Sequence, residues 1–133
     1  LAVVGDLIYA IGGNSYKNDN YFNHNNCDVY NTITNCWEQK TALPEVITQG
    51  SAVVLGNKIH YLGGISKACS VTDADALKVH YIYDTKTDVW SNGENLPYGI
   101  WANECVAVEN KIYLFGGNEK LPNASSKVLV LKQ

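Results

Sequence analysis

Short apolar runs that end in a pair of glycines recur at regular intervals along the chain. They read LIYAIGG, KIHYLGG and KIYLFGG, and their glycine pairs begin at Gly12, Gly63 and Gly116. The period is therefore 51 and then 53 residues, which is typical of solenoids, propellers or arrays rather than of one irregular fold. We interpret the chain as a repeat protein.

The pattern within each run predicts β-strands. In the first unit, Ala2 to Val4 and Leu7 to Ile11 are apolar at consecutive positions, rich in Ile, Val and Tyr, and separated by the turn residues Gly5-Asp6. Consecutive apolar positions are typical of strands that are covered on both faces. We therefore expect a hairpin of buried strands in each unit, sandwiched between neighbouring sheets.

A polar stretch follows each glycine pair. Asn14 to Asn26 is rich in Asn and carries Tyr and Phe, so we predict a loop there, and further loops over Ile65 to Val79 and Asn118 to Ser126. The units differ in length at these stretches, as repeats do when insertions fall on one face. Long loops with aromatic side chains are usually functional or disordered.

Two more strands complete each unit. In the first unit they are Cys27 to Asn31 and Cys36 to Thr41, and the proline of Leu43-Pro44 ends the sheet because it lacks a backbone donor. Aromatic residues recur seven residues apart in the third and fourth strands of both units. We predict that these aromatics are core residues: Tyr30, Trp37, Tyr83 and Trp90.

These features closely resemble the kelch repeat, which has four strands, a glycine pair after the second, a Tyr in the third and a Trp in the fourth. The resemblance covers essentially the whole chain, although the third unit ends after one more strand, Val128 to Leu131, without its Tyr and Trp. It implies an all-β fold, a segment of a kelch-type β-propeller built of four-stranded antiparallel blades. The blades would be residues 1–44, 45–97 and an incomplete 98–133.

Propellers close with about 4 to 8 blades, more than this chain supplies. We therefore expect a segment of a longer protein, with the remaining blades of the parent chain as partners. Closure by self-association is the alternative, and a defined, monodisperse oligomer would support it.

The charge and the cysteines of the chain limit which partners and which cellular compartment we expect. The net charge is −3 without a basic stripe, so we expect no nucleic acid and no anionic membrane as partner. No apolar run approaches the roughly 20 residues that span a bilayer, so we expect no membrane insertion. The 4 cysteines lack metal-site spacing and indicate free thiols in the cytoplasm, whereas the sequon at Asn123 would be typical of a secreted protein.

No catalytic or metal-binding constellation can be assembled by motif. His60 stands where the first unit has Tyr9, which indicates packing, and His24 is alone in a polar stretch. Asp73 and Asp75 lack the glycine and distal glutamate of a calcium loop. We predict no catalytic residues, no metal and no cofactor.

We predict a non-catalytic module that recognises or scaffolds a protein or peptide through the links between blades and the loops after the glycine pairs. Amides, hydroxyls and aromatic rings suit this task, and the resemblance implies ubiquitin-ligase substrate adaptors as one role. Trp101 replaces Thr48 of the first unit and is either a surface contact or a plug between blades. The candidate contact residues are Asn14, Tyr16, Tyr21, Gln49, Ser66, Tyr98, Trp101, Asn103, Asn118 and Lys120.

Two other functions stay open. Aromatic and amide side chains also stack on and hydrogen-bond to sugars, so the alternative is a sugar-handling propeller similar to N-acetylneuraminate epimerase. Its titratable candidates would be Glu45, Glu104 and His24. A propeller that only spaces other domains is the structural alternative, because fold does not settle function.

Overall fold

The first unit is a four-stranded antiparallel sheet whose strands follow one another in chain order. They are β1 (Ala2–Val4), β2 (Leu7–Lys17), β3 (Asn20–Asn31) and β4 (Cys36–Lys40). A computed structural model of the chain describes residues 1–66, 76–120 and 123–132. Within those ranges there is no helix that is long and apolar enough to cross a membrane.

The second unit repeats this sheet. Its strands are β5 (Ser51–Leu55), β6 (Lys58–Leu62), β7 (His80–Asp84) and β8 (Val89–Asn92), again paired in chain order. Residues 67–75 of the loop predicted between Ile65 and Val79, which include Asp73 and Asp75, lie outside the described ranges.

The third unit has three strands in its main sheet: β9 (Glu104–Val108), β10 (Lys111–Phe115) and β13 (Val128–Lys132), with β10 in the centre. β11 (Asn118–Lys120) and β12 (Asn123–Ala124) form a separate two-stranded sheet within the stretch that we predicted as a loop. The all-β architecture of four-stranded antiparallel sheets predicted from the sequence is confirmed.

The stretch Asn14 to Asn26 is a β-hairpin, and our prediction of a loop there was wrong. β2 and β3 continue past the glycine pair and stay paired up to Lys17 and Asn20. Between them, Asn18 and Asp19 form the turn with φ angles of 51° and 59°. Asn and Asp tolerate these left-handed angles, which match the twist of a two-residue hairpin.

The sheets pack face to face. Tyr9 and Cys27 of the first sheet are buried against Ile59 and Tyr83 of the second, and the rings of Tyr9 and Tyr83 meet edge to face at 5.9 Å. A second apolar cluster joins the second sheet to the third and contains Leu62, Leu96, Ile100, Ile112 and Leu114. As expected, a central strand such as β6 is covered from both sides.

The outer strands of the second sheet also bond to the end of the first. The indole Nε1 of Trp90 donates a hydrogen bond to the carbonyl of Thr41 at 2.8 Å. The backbone N–H of Thr41 donates to Asp88 at 2.9 Å, and Asp88 accepts a second bond from the Tyr83 hydroxyl at 2.7 Å. The Tyr83 and Thr41 bonds hold the pKa of the Asp88 carboxyl below its usual value.

The first sheet carries the same group of side chains on its outer face. The Tyr30 hydroxyl donates to Asn35, and the Tyr30 ring lies 5.1 Å from the ring of Trp37. Trp37 is 63% exposed, so our prediction that it is a core residue was wrong. Trp90 is covered by the first sheet, whereas in the described part of the chain no sheet lies against Trp37.

Candidate binding surface

Two links connect one sheet to the next, and they share one backbone path. Gln49 and Ala102 have left-handed φ angles of 59° and 51° and stand shortly before β5 and β9. The N–H of Ala102 donates to the carbonyl of Gln49 at 2.8 Å. The links therefore lie side by side at one end of the sheets.

The glycine pairs allow the links to approach the strand ends. A Cβ at Gly12 would lie 2.7 Å from the Ile47 carbonyl oxygen, and one at Gly117 would lie 2.7 Å from the Trp101 carbonyl oxygen. Both glycines also have positive φ angles, so a side chain at either site would be excluded by contact and by conformation.

Backbone bridges join each link to the segment after the next glycine pair. Thr48 and Ile65 exchange hydrogen bonds at 3.0 and 2.9 Å, and Trp101 and Asn118 exchange bonds at 3.1 and 2.8 Å. The links and the post-glycine segments therefore form one surface. We call it the link face: residues 13–26, 45–49, 64–66, 98–103 and 117–120.

The hairpin of the first unit is fixed to this surface at its base. Asn14 donates through Nδ2 to the Thr48 hydroxyl at 3.2 Å, and Asn23 donates to the Ser66 carbonyl at 3.2 Å. Because Asn14 and Asn23 are cross-strand partners, their shared side of the hairpin is held against the link and the second post-glycine segment.

The hairpin tip beyond these contacts is aromatic. Tyr16 and Tyr21 are cross-strand partners whose ring centroids lie 4.8 Å apart, and they are 60% and 50% exposed. Phe22 is also exposed, and the Tyr16 hydroxyl donates to Asp19 at 3.1 Å. Exposed aromatic side chains on a fixed scaffold are typical of a recognition surface.

Half of the predicted contact residues are exposed on the link face. Tyr98 and Asn118 are half-buried, and the Lys127 ammonium lies 4.5 Å from the centre of the Tyr98 ring. The Lys120 side chain lies outside the described part of the structure. The exposed residues are Asn14, Tyr16, Tyr21, Gln49 and Ser66.

Trp101 and Asn103 are buried instead. Trp101 is 8% exposed, which favours a plug between blades over a surface contact. Asn103 donates through Nδ2 to the Ser51 hydroxyl, and its Oδ1 has no partner among the described residues. Buried acceptors of this kind are usually met by ordered water.

Sequence reasoning missed the second side of the hairpin, where Ser15 Oγ and His24 Nε2 lie 2.8 Å apart, and the anchoring role of Asn23. The signal that could have revealed the hairpin was the Asn18-Asp19 pair between aromatic residues, because this pair suits a two-residue turn.

The titratable candidates for catalysis have separate surroundings. Glu45 accepts a hydrogen bond from the Tyr81 hydroxyl, and burial together with this bond raises the pKa of Tyr81 to about 12. His24 contacts Ser15, and Glu104 is exposed at the start of β9. Among the described residues, no three His, Cys, Asp or Glu side chains are grouped so that they could hold a metal ion.

Comparison with protein families and curated proteins finds kelch relatives. The Kelch motif model matches residues 1–44. Kelch-like protein terF of Aspergillus terreus is 34% identical over 119 residues, which are 87% of this chain and 26% of that protein. Kelch repeat and BTB domain-containing protein 12 of Homo sapiens is 26% identical over 120 residues, 88% of this chain and 19% of that protein. An F-box/kelch-repeat protein of Arabidopsis thaliana is 29% identical over 113 residues, 85% of this chain and 27% of that protein.

A solved structure shares the fold. The structure of YjhT superposes with a TM-score of 0.83 and 20% identity, over 98% of this chain and 47% of that one. The chain thus spans less than half of this structure and between 19% and 27% of the three curated relatives.

Proposed function

Because the chain belongs to the kelch-repeat β-propeller family, we propose that it is a non-catalytic module that recognises or scaffolds another protein through the link face. The main support for this proposal is the structure of the hairpin tip. Tyr16, Tyr21 and Phe22 stand exposed there, while Asn14 and Asn23 fix the hairpin at its base.

Binding costs less free energy when the contact groups are already ordered. Tyr and Phe have few rotatable bonds and offer a large contact area, so they serve as anchors at low entropic cost. Gln49 and Ser66 add exposed polar groups near the hairpin, as the polar rim of an interface does. This combination suits a peptide or a protein surface.

The names of two relatives include a BTB domain and an F-box. By analogy, we propose that the parent protein is a ubiquitin-ligase substrate adaptor. We propose a cytoplasmic location, since the thiols of Cys27, Cys36 and Cys105 are free, as is typical of a reducing compartment.

We also propose that residues 1–44, 45–97 and 98–133 are blades and that further blades of the parent chain cover the outer faces of the first and third. Large apolar side chains are exposed on those faces, and burying them would be favourable. On the first sheet they include Val3 and Trp37, and on the third they include Val106, Val108, Phe115, Val128 and Val130.

Affinity capture with paired variants tests the recognition role. Tyr16→Ser combined with Tyr21→Ser removes the aromatic tip, and we expect it to weaken capture of the partner by at least about tenfold, since anchor residues contribute about 2 kcal/mol or more. The matched control is Ile33→Ser, which removes a 74% exposed side chain from the opposite end of the same sheet. Equal capture by the tip variant and the control, with both folded, would contradict the proposal.

The sugar-enzyme alternative would use the same aromatic tip, because sugars also stack on Tyr rings. Its candidate acids Glu45, Glu104 and His24 have separate surroundings, so we retain the binding role. Titration with free sugars, followed by NMR at the hairpin tip, distinguishes the two. Shifts at millimolar sugar together with turnover would favour the enzyme.

A further inference from the structure

Two buried histidines lie where the second sheet meets the third. His60 on β6 and His80 at the start of β7 are each 3% exposed, and Nδ1 of His60 lies 2.8 Å from Nε2 of His80. Their cross-strand partners are Val53 and Leu62, which belong to the apolar cluster that joins these two sheets. The pair is therefore part of that interface.

The corresponding positions of the first unit hold residues that take no positive charge. Aligned on the glycine pairs, His60 matches Tyr9; aligned on Tyr30 and Tyr83, His80 matches Cys27. Tyr9 and Cys27 are also buried and pack between the first and second sheets. A neutral Tyr and Cys thus fill these positions at one interface, and packing alone does not require two histidines at the other.

The hydrogen bonds fix the protonation state of the pair. The Glu94 carbonyl oxygen, 3.2 Å from Nδ1 of His80, can only accept, so this nitrogen carries a proton. In neutral His80, Nε2 is then the acceptor, and Nδ1 of His60 must donate to it. One added proton can go to Nε2 of His60, because Nδ1 of His60 then still donates to Nε2 of His80. A second proton would place two donors against each other.

The charged groups around the pair are two cations, which oppose added protons, and the Glu94 carboxylate, which favours them at His80. Lys58 on β6 and Lys132 on β13 are cations, and Lys132 lines the same cleft of about 680 Å³ as His80 and Glu94. The nearby Cys105 thiol on β9 stays neutral because burial raises its pKa. Burial, with smaller contributions from His80 and Lys58, lowers the pKa of His60 to about 4. Burial also lowers the pKa of His80, although Glu94 acts in the opposite direction.

We propose that the His60–His80 pair is an acid-sensitive latch between the second and third blades, which holds them together while both imidazoles are neutral and releases the third blade in acid. Once released, the histidines regain an ordinary pKa of about 6.5. The closed state resists protonation. The pair therefore contributes its full stabilisation of the interface above about pH 6.5, and this stabilisation is lost as the pH falls from there toward 4. With up to two protons taken up, the ratio of open to closed molecules rises by at most about 100-fold per pH unit.

Release would also change the link face, because two backbone hydrogen bonds there join the second blade to the third. Gly64 donates to the Ile100 carbonyl, and Ala102 donates to the Gln49 carbonyl, both at 2.8 Å. That consequence rests on the proposed function, whereas the latch itself does not. The first interface, with Tyr9 and Cys27 in the same positions, should stay closed over the same pH range.

Hydrogen exchange between pH 7.5 and 4.5, corrected for intrinsic rates, tests the latch. We expect amides of β9, β10 and β13 to lose protection steeply below about pH 6, while those of β1 to β3 keep theirs. The variant His60→Tyr with His80→Cys copies the first interface and should remove most of this difference. His24→Asn is the control, because His24 is exposed and outside the pair.

An NMR titration of the three histidines keeps the test independent of whether the double variant folds. In the native protein we expect His60 and His80 to stay neutral well below the ordinary histidine pKa of about 6.5. If His60 and His80 titrate near pH 6.5 in the folded protein, or if the third blade keeps its protection down to pH 4.5, the latch does not exist.

Discussion

Tryptophan at the same repeat position is covered or exposed in this chain depending on whether another sheet packs against it. Trp37 and Trp90 occupy the same repeat position, and each stacks on the Tyr of its own sheet. Trp90 also donates a hydrogen bond to the carbonyl of Thr41, directly after the last strand of the first sheet. The spacing in the sequence placed both tryptophans on the fourth strand of their sheets, as observed. It carries no information on which of the two has another sheet packed against it.

This difference gives a matched pair of substitutions. Trp90→Phe keeps an aromatic ring but loses the bond to Thr41, so we expect the free energy of unfolding to fall by about 1–2 kcal/mol. Trp37→Phe at the exposed position should change it by no more than about 0.5 kcal/mol. Denaturant titration of the 133-residue chain measures both. Equal losses for the two variants would show that the bond between sheets contributes little.

At the scale of elements, the strands with strong apolar patterns were predicted from the sequence and the hairpin tip was not. β6 and β10 consist of the repeated apolar runs, whose Ile and aromatic residues favour strands. The extension of β2 and β3 is rich in Asn, which disfavours strands, and we predicted a loop. Asn14 and Asn23 are nevertheless useful there, because their amides hold the hairpin to Thr48 and Ser66.

The turn of this hairpin can be tested at Asp19, which has a φ angle of 59°. Asp19→Val places a β-branched residue at a left-handed angle and should destabilise the tip by about 1–3 kcal/mol. Asp19→Asn also removes the carboxylate but tolerates the angle, so it is the control. We expect faster hydrogen exchange at Ser15 and Phe22 only in the valine variant, with little change in β5 to β8. Identical exchange in both variants would mean that the turn does not hold the tip.

At the scale of the whole molecule, the repeat period predicted the all-β architecture, and the structure then shows how the link face is assembled. The burial of Trp101 could not be predicted, because it depends on the bridge between a link and a segment that begins 17 residues later, at Asn118. On the outer face of the first sheet, Tyr30 and Trp37 match Tyr83 and Trp90, which the second sheet packs against the first. This equivalence supports our proposal that a further blade packs against it.

That proposal predicts a change in the Trp37→Phe result. In a longer form of the protein that contains the preceding blade, Trp37 should bond and pack as Trp90 does here. Trp37→Phe should then lower the free energy of unfolding by about 1–2 kcal/mol. The comparison uses the same substitution in both lengths of chain, with Ile33→Ser as a control that should be small in both. A negligible effect of Trp37→Phe in the longer form would contradict packing of a blade on this face.

Binding of a protein partner to the link face can be measured as a hydrogen-exchange footprint of the bound complex. We predict that the partner protects amides at residues 15–22 and in the links around Gln49. The turns at the opposite end, residues 32–35 and 85–88, should exchange as in the free protein. Protection confined to those turns, with none at the hairpin tip or the links, would show that the partner does not bind through the link face.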